Sequence, residues 1–206
     1  MISSTESALL PDKVEALLRS TILPDLESGR KDFDLPHTQA VVYWMKYLLI
    51  KLNSPTLDPT VLITAAYAHD WGYFGLFDGV THRSLAEINK RKPLHMQRGA
   101  EMIERLLREK LSAFFSEAQI LQTAHLVRIH DLVEDVNAED EVLLMEADTL
   151  GMLDADRVKP TFSKEDNQIF LDKQIVERRL PHFIHPEARK IGKKLLLKRR
   201  KFYEQR

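Results

Sequence analysis

Helical periodicity dominates this chain and constrains its fold class more than any other feature. Apolar residues recur at intervals of three and four, as in Val14, Leu17 and Leu18 and again in Val41 and Met45. Such spacing places them on one face of an α-helix, whereas a strand requires alternation of apolar and polar residues. No segment alternates in this way over the length of a strand, and only seven of the 206 residues are glycine. The sequence therefore predicts an all-α bundle.

Capping residues and prolines predict where the helices begin and end. Asp58 has the form of an N-cap before Pro59, and Ser116 with Gln119 has the form of a capping box. The stretch 74–92 carries glycines and then charges, so we expect a loop, or a loop with a short helix. The predicted helices run from about Pro11 to near Pro24, from Pro36, from Pro59 to Asp70, from just after Pro93, from Ser116, over about 140–153, over 163–179 and over 187–203.

Composition narrows the class of protein further. The absence of cysteine excludes disulfides, thiolate catalysis and cysteine-ligated zinc, so any metal must be held by histidine, carboxylate or water. A net charge of -1 argues against a nucleic-acid partner for the whole molecule. No apolar run approaches the roughly 20 residues of a membrane span, and residues 1–10 lack the pattern of a signal peptide. We expect a cytoplasmic protein with no membrane partner.

Charge is distributed unevenly near the C-terminus. Residues 134–148 hold seven acidic and no basic side chains, and residues 189–206 hold nine basic side chains against Glu204 alone. A basic run of this kind can contact phosphate or nucleic acid. Ile191, Leu195 and Phe202 give the run an apolar stripe, however, which favours a docked amphipathic helix.

Residues typical of metal ligands are scattered over several predicted helices. His37 shares a helical face with Val41, and His69-Asp70 ends the third predicted helix. Asp148 lies within an apolar helical face, where an unpartnered carboxylate would be costly. Each has an ordinary alternative: a hydrogen-bonded core histidine, a capping aspartate and an exposed acid, respectively. Together, histidine and aspartate donors from separate helices of a bundle suit a catalytic divalent metal.

The surroundings of these residues resemble a known family. The order H…HD…D is the signature of the HD-domain superfamily of metal-dependent phosphohydrolases, and the resemblance covers about residues 36–154. It implies an all-α bundle with the site in its core, and a single HD-type domain over 1–206 with a helical extension at 163–206. The motifs that carry the resemblance are AAYAHDWGY at 65–73, EADTL at 146–150, His95 with Gly99-Ala100, and LVRIH at 126–130.

The resemblance implies a ligand set and a cofactor. A second metal would be bridged by Asp70 and held by His95 and His130. One or two divalent ions per chain are expected, drawn from manganese, magnesium, cobalt, zinc and iron. The ligands implied for the first metal are His37, His69, Asp70 and Asp148.

The implied activity is hydrolysis of a phosphate ester of a small molecule, for which we expect a nucleotide. The enzyme would be a phosphomonoesterase or a phosphodiesterase. Metal lowers the pKa of bound water, so a nucleophile is available near neutral pH, and Asp70 would orient that water or bridge two metals. Arg98, three residues after His95, is our first candidate for stabilising phosphate charge, ahead of Arg83, Lys90 and Arg128.

Several alternatives remain open from the sequence. HDLVED at 130–135 resembles the motif of the HD branch that hydrolyses guanosine alarmones, with His95 and Asp172 as its other ligands. A di-iron HD-type oxygenase could use the same histidines, and a non-catalytic metal- or nucleotide-binding module is the third alternative. The sequence does not assign roles to His82 or His125, and it leaves open a homo-oligomer.

Overall fold

A computed structural model describes residues 9–78, 84–202 and 204, and within these residues the protein is helical with no β-strand. The predicted all-α class is confirmed. Short 3₁₀ turns at Trp71–Tyr73 and Leu180–His182 join some of the longer elements, and Phe170–Arg179 is wound as a π-helix. The α-helices are α1 (Asp12–Glu27), α2 (Asp34–Leu52), α3 (Pro59–Ala68), α4 (Leu85–Lys110), α5 (Glu117–Ile129), α6 (Glu139–Leu153), α7 (Lys164–Ile169) and α8 (Pro186–Phe202).

Prolines mark the ends of the first two helices less sharply than the sequence predicts. Helix α1 continues through Pro24 to Glu27. The buried stripe of Leu18 and Ile22 extends to Leu26, and its burial offsets the hydrogen bond that Pro24 removes. Helix α2 begins two residues before Pro36. A proline is tolerated there because the first amides of a helix have no helical partner.

The largest error in the predicted elements concerns α4. It begins at Leu85, so the second half of the expected loop is helical and Pro93 lies inside the helix. Ser84 supplies the start, because its hydroxyl accepts a hydrogen bond from the Glu87 amide at 3.3 Å. Ser84 was not identified as a cap from the sequence, because the start of this helix is predicted just after Pro93.

Helices α3 and α5 begin where their caps predict, and α6 begins close to its predicted start. Asp58 accepts hydrogen bonds from the amides of Thr60 and Val61, and Ser116 forms the expected capping box with Gln119. Helix α6 covers Glu139–Leu153, within one residue of the predicted range. These three elements carry most of the motif residues singled out above.

The C-terminal part follows the predicted ranges but differs in its winding. The predicted helix over 163–179 is α7 followed by the π-helical segment, in which each turn holds between four and five residues. Apolar periodicity does not distinguish this winding from an α-helix over so short a stretch. Helix α8 occupies the last predicted helical range as far as Phe202, and Tyr203 lies outside the described residues.

The centre of the bundle is formed by α3 and α6. Every residue of α3 from Val61 to Ala68 is buried, as is nearly every residue of α6 from Val142 to Leu153. Helix α2 packs against α6 so closely that a Cβ at Gly151 would lie 2.6 Å from a Val41 methyl. Helices α4 and α5 pack together on another side. Among the described residues, no helix combines the length and apolar character needed to cross a membrane.

Candidate metal centre

Two histidines occupy equivalent positions at the ends of helices. His69 follows the last residue of α3 and His130 follows the last residue of α5. The Nδ1 atom of each contacts the carbonyl oxygen three residues earlier, at 2.9 Å in Ala66 and 2.8 Å in Val127. A hydrogen on Nδ1 satisfies that contact. The lone pair of Nε2 in each ring then faces the interior, where it can bind a metal ion.

The first donor group lies around His37 and His69. Their Nε2 atoms are 3.1 Å apart, and Oδ2 of Asp70 lies 3.5 Å from the first and 3.3 Å from the second. Oδ1 of Asp148 lies 3.0 Å from Nε2 of His37 and 3.7 Å from Nε2 of His69. Four donors, one from α2, two from the turn after α3 and one from α6, therefore converge within one buried volume.

The second donor group uses the other oxygen of Asp70. Oδ1 lies 3.5 Å from Nε2 of His95 and 3.9 Å from Nε2 of His130, and these two nitrogens are 3.4 Å apart. Asp131 joins this side of the site, with Oδ2 at 3.9 Å from Nε2 of His95. Asp70 is thus common to both groups, one oxygen facing each.

The donor groups fit a divalent metal ion. Ligand atoms around one ion lie roughly 3 to 4 Å apart, because each metal–ligand bond is about 2.1 Å long. The described part of the chain holds three such groups: His37 with His69 and Asp70, Asp70 with His95 and His130, and His130 with Asp131 and Asp148. Oδ1 of Asp148 is buried without a hydrogen-bond donor, so its lone pairs are available to a cation. Histidine nitrogen with carboxylate oxygen is the donor chemistry of a catalytic divalent metal.

Cationic side chains partner the carboxylates of the site. Arg30, from the turn between α1 and α2, donates to Asp34 and Asp70. Arg179, the last residue of the π-helix, donates to Asp148 at 2.8 Å and also to Asp131. Lys92, in α4, donates to Asp131 at 3.2 Å. The buried acids are therefore paired, which offsets the cost of their burial.

These cations keep the carboxylates ionised. Burial raises the pKa of Asp70, but Arg30 and His69 outweigh it and hold that pKa well below the usual range. For Asp148, burial is outweighed by Arg179 and His37, and the pKa again lies below the usual range. Asp34 differs, because burial outweighs the effect of Arg30 and raises its pKa to about 6.

The histidines divide into a neutral set and one charged ring. Burial lowers the pKa of His37 and His130, and burial together with the nearby His130 lowers the pKa of His95 to about 3. For His69, burial is outweighed by Asp70 and Asp148, which raise the pKa to about 9. Three of the four rings are therefore neutral near pH 7, the state in which an imidazole binds metal.

A stack of three side chains borders the second donor group. The ring of Tyr73 lies 3.9 Å from that of His95 at an interplanar angle of 5°. The guanidinium carbon of Arg30 lies 4.2 Å from the centroid of the Tyr73 ring. The Tyr73 hydroxyl is buried without a hydrogen-bond partner, and burial raises its pKa well above the usual 10. The phenol is therefore protonated over the physiological range.

A pocket opens onto the donor groups. Arg30, Lys92 and Gln174 are among its polar lining residues. Asp70, His130 and Asp148 of the donor groups also line it. Its apolar wall is formed by Phe33, Leu85, Ile88, Met152, Phe162 and Phe170.

The other sequence-based candidates lie apart from this pocket or outside the described residues. Arg98 is half-buried in α4 and is not among the pocket-lining residues. Lys90 pairs with Glu87 on the surface, and Arg128 is exposed. His125 contacts Glu141 at 2.7 Å with its side chain 43% exposed. His82 and Arg83 fall among the residues that the structure does not describe.

The alternative motif at 130–135 contributes only its first two residues to the site. Glu134 and Asp135 are exposed, and Glu134 pairs with Arg178. Asp172 pairs with Arg200 at 2.9 Å on the surface. The ligand set expected from that motif is therefore not assembled, although Asp131 itself belongs to the site.

The sequence analysis gave no site role to Arg30, Asp34, Lys92 or Arg179, and it considered Asp131 only within the alternative motif at 130–135. Asp131 follows His130 at a helix end as Asp70 follows His69. Arg30 and Asp34 are spaced four apart, a weak signal in a segment that read as a polar loop. Arg179 offered no signal, since its partners are 31 and 48 positions away.

Comparison with known proteins identifies the family. The sequence model of the HD domain matches residues 35–153, more than half of the chain. No curated protein and no solved structure matches. The chain therefore belongs to the HD-domain family, as its motifs predict.

Proposed function

We propose that this HD-domain protein is a metal-dependent phosphohydrolase acting on a phosphate ester of a small molecule, with nucleotides as the first substrates to test. The observation that carries this proposal is the pair of donor groups sharing Asp70 beneath an open pocket. Phosphate transfer needs a polarising cation and positive charge around the phosphoryl oxygens. Metal-ligand residues and the cationic side chains of Arg30 and Lys92 meet at this pocket.

The residues that would hold metal follow from the distances above. His37, His69, Asp70 and Asp148 would hold a first divalent ion, and Asp70, His95 and His130 a second. The ion supplies Lewis-acid chemistry, lowering the pKa of water and offsetting phosphate charge. The candidate ions are manganese, magnesium, cobalt, zinc and iron.

The remaining residues of the pocket would bind and shield the substrate. Arg30 and Lys92 are lining residues that already pair with carboxylates of the site. They are placed to contact phosphoryl oxygens, a role that the sequence analysis assigned to Arg98. The apolar wall excludes water from part of the pocket and would contact the rest of the ester.

The proposal is tested by metal content and phosphate release together. The protein is stripped with chelator and reloaded with single divalent ions. Hydrolysis is then measured as inorganic phosphate released from nucleoside monophosphates and as nucleoside monophosphate formed from cyclic nucleotides, which separates phosphomonoesterase from phosphodiesterase activity. His69→Ala and Asp70→Asn should lose both bound metal and turnover. His125→Ala, on the surface, should retain both. Wild-type protein that binds metal and hydrolyses none of these esters would contradict the proposal.

A second candidate is a di-iron oxygenase. The second donor group, with Asp70 common to both, is compatible with it, because two iron ions would use the same ligands as two other divalent ions. Iron retained on purification, dioxygen consumption with organic substrates and no hydrolysis of any phosphate ester would favour this alternative. Protein that binds no metal under any loading condition would favour a non-catalytic module.

We also propose that residues 1–206 form a single domain. The family match ends at 153, yet Arg179 reaches Asp148 and Asp131 from beyond that limit. The C-terminal helices are then part of the same folding unit as the site.

A further inference from the structure

Arg179 is the most deeply buried of the three cations that pair with carboxylates of the site, with 2% of its side chain exposed. One terminal nitrogen, Nη1, donates to Oδ2 of Asp148 at 2.8 Å and to the Thr149 hydroxyl at 3.0 Å. The other, Nη2, donates to Oδ1 of Asp131. The guanidinium of Arg179 therefore binds two carboxylates, that of Asp148 in the first donor group and that of Asp131 beside the second.

This arrangement fixes which oxygen of Asp148 faces the histidines. Oδ2 is occupied by Arg179, and Oδ1 is left without a donor at 3.0 Å from Nε2 of His37. Asp131 is held in the same manner through Oδ1, so Oδ2 is the oxygen nearer His95. The fork of an arginine fits two oxygen acceptors at once, whereas lysine offers a point charge.

The π-helical winding brings Arg179 inward. Leu171, Ile175 and Arg179 are all buried, with Leu171 and Ile175 fully so. A turn of between four and five residues keeps every fourth residue on nearly one face. Lys173 and Glu177 pair with each other on the exposed side of the same segment. The segment thus delivers one charged residue to the interior and leaves its other charges in solvent.

We propose that Arg179 is a positioning residue for the metal centre. It presents Oδ1 of Asp148 to the first donor group and restrains Asp131 beside the second. This proposal rests on the metal-dependent function proposed above. Residues that orient metal ligands in this way typically contribute 10- to 100-fold to metal affinity.

The test is a cobalt titration of chelator-treated protein. Co²⁺ absorbance reports the number and symmetry of its ligands, and elemental analysis gives the stoichiometry. The variants are Arg179→Gln and Arg179→Lys. The matched control is Arg200→Gln, which breaks an Arg–Asp pair with Asp172 on the surface of the same π-helical segment. Melting temperatures of the metal-free proteins are measured in parallel.

We expect Arg179→Gln to raise the Kd for Co²⁺ at least tenfold and to alter its absorption spectrum. Arg179→Lys keeps the charge without the fork, so its Kd should be intermediate and its spectrum also altered. Arg200→Gln should match the wild type. If Arg179→Gln does not fold, Arg179→Lys carries the test.

Two results would overturn the proposal. A folded Arg179 variant with lowered melting temperature but wild-type Kd and spectrum would leave Arg179 a purely structural role. Wild-type protein that binds no Co²⁺, Mn²⁺ or Zn²⁺ would remove the proposed function along with this inference. The first result leaves the proposed function intact, so the two failures are distinguishable.

Discussion

Asp70 serves more partners than any other side chain in the site. Its two oxygens face different histidine pairs, and Oδ2 also accepts a hydrogen bond from Arg30. A cation ligated by Oδ2 would compete with that hydrogen bond. Arg30 would retain Asp34 as a partner and could turn a nitrogen toward an anion in the pocket. Arg30 and Arg98 can therefore be compared directly as the side chain that contacts the substrate phosphate.

Replacing Arg30 should weaken substrate binding more than replacing Arg98. For the metal-loaded enzyme, Arg30→Lys is expected to raise KM about tenfold, because a charge-assisted hydrogen bond is worth about 1.5–3 kcal/mol. Arg98→Ala should change KM by less than about twofold, since Arg98 does not line the pocket. Steady-state kinetics on one phosphate ester decides between them. The opposite ranking would return the role to Arg98, as the sequence analysis predicted.

His185 should make stability depend on pH. Burial lowers its pKa, but hydrogen bonds to Glu146 and Glu139 raise it above the usual 6.5. A raised folded-state pKa means that the stabilisation is fully present below about pH 6.5. It is lost as pH rises through the folded-state value. The free energy of unfolding of wild type minus that of His185→Gln should therefore be larger at pH 5.5 than at pH 9.

The measurement is urea denaturation of both metal-free proteins at the two pH values. Taking the difference between wild type and variant cancels the titration of the other histidines. Glu146 accepts hydrogen bonds from the amides of Ile184 and His185 in both proteins, so the backbone contact is retained. If this difference in the free energy of unfolding is the same at both pH values, protonation of His185 does not contribute to stability.

At the scale of the helix, N-cap residues predicted the helix boundaries better than prolines did. The caps at Asp58 and Ser116 gave the starts of α3 and α5 because capping depends only on residues within one turn. Pro24 and Pro93 were misleading as boundaries. Tertiary burial, of Leu26 in one case and of His95 and Met96 in the other, holds the chain helical past them. That burial depends on residues far away in the sequence.

The crossing of α4 over the turn after α3 depends on Gly72. A Cβ there would lie 1.9 Å from the carbonyl oxygen of His95 and 2.6 Å from the amide nitrogen of Gly99. Both are backbone atoms, so α4 itself would have to move. Gly72→Ala should therefore lower the free energy of unfolding by about 3 kcal/mol or more and displace His95 from the second donor group.

Equilibrium urea denaturation and metal stoichiometry measure the two effects of Gly72→Ala separately. Gly192→Ala is the matched control, because the nearest atoms to its Cβ are the ends of the Leu180 and Phe183 side chains at 3.3 Å. Flexible ends can yield, and alanine is favoured over glycine in a helix by about 1 kcal/mol. We expect a change of less than about 1 kcal/mol. An equal loss in both variants would argue against the backbone clash.

For the molecule as a whole, the residues after 159 complete the site and the core. Arg179 partners Asp148, and Glu146 accepts its hydrogen bonds from Ile184 and His185. A chain ending at residue 159 would leave both buried acids without these partners. Removing one partner of a buried ion pair costs about 3–5 kcal/mol. This is a large share of the 5–15 kcal/mol stability of a typical protein.

The shortened chain should therefore show no cooperative thermal transition by circular dichroism and should bind no Co²⁺. The full-length Arg200→Gln variant, treated identically, should melt cooperatively. A shortened chain that melts cooperatively and binds metal would show that the region matched by the family model is sufficient. The proposal of a single domain over 1–206 would then be wrong.

The sequence predicted the centre of the molecule better than its periphery. His37, His69, Asp70, His95, His130 and Asp148 were chosen from motifs, and the structure brings their donor atoms together. Each lies on or next to a helix whose own pattern is legible. The surrounding charges were not predicted, because the positions of Arg30 and Arg179 depend on turns and winding that no local pattern specifies.

The Tyr73 stack has an optical consequence. A phenol held between an imidazole and a guanidinium, closed from water, experiences a fixed and asymmetric electric field. Its near-ultraviolet bands should be intense in circular dichroism and should respond when either neighbour shifts. The three side chains come from the turn after α1, the turn after α3 and helix α4. Light absorbed by this one tyrosine would therefore report on how three segments of the chain meet at the site.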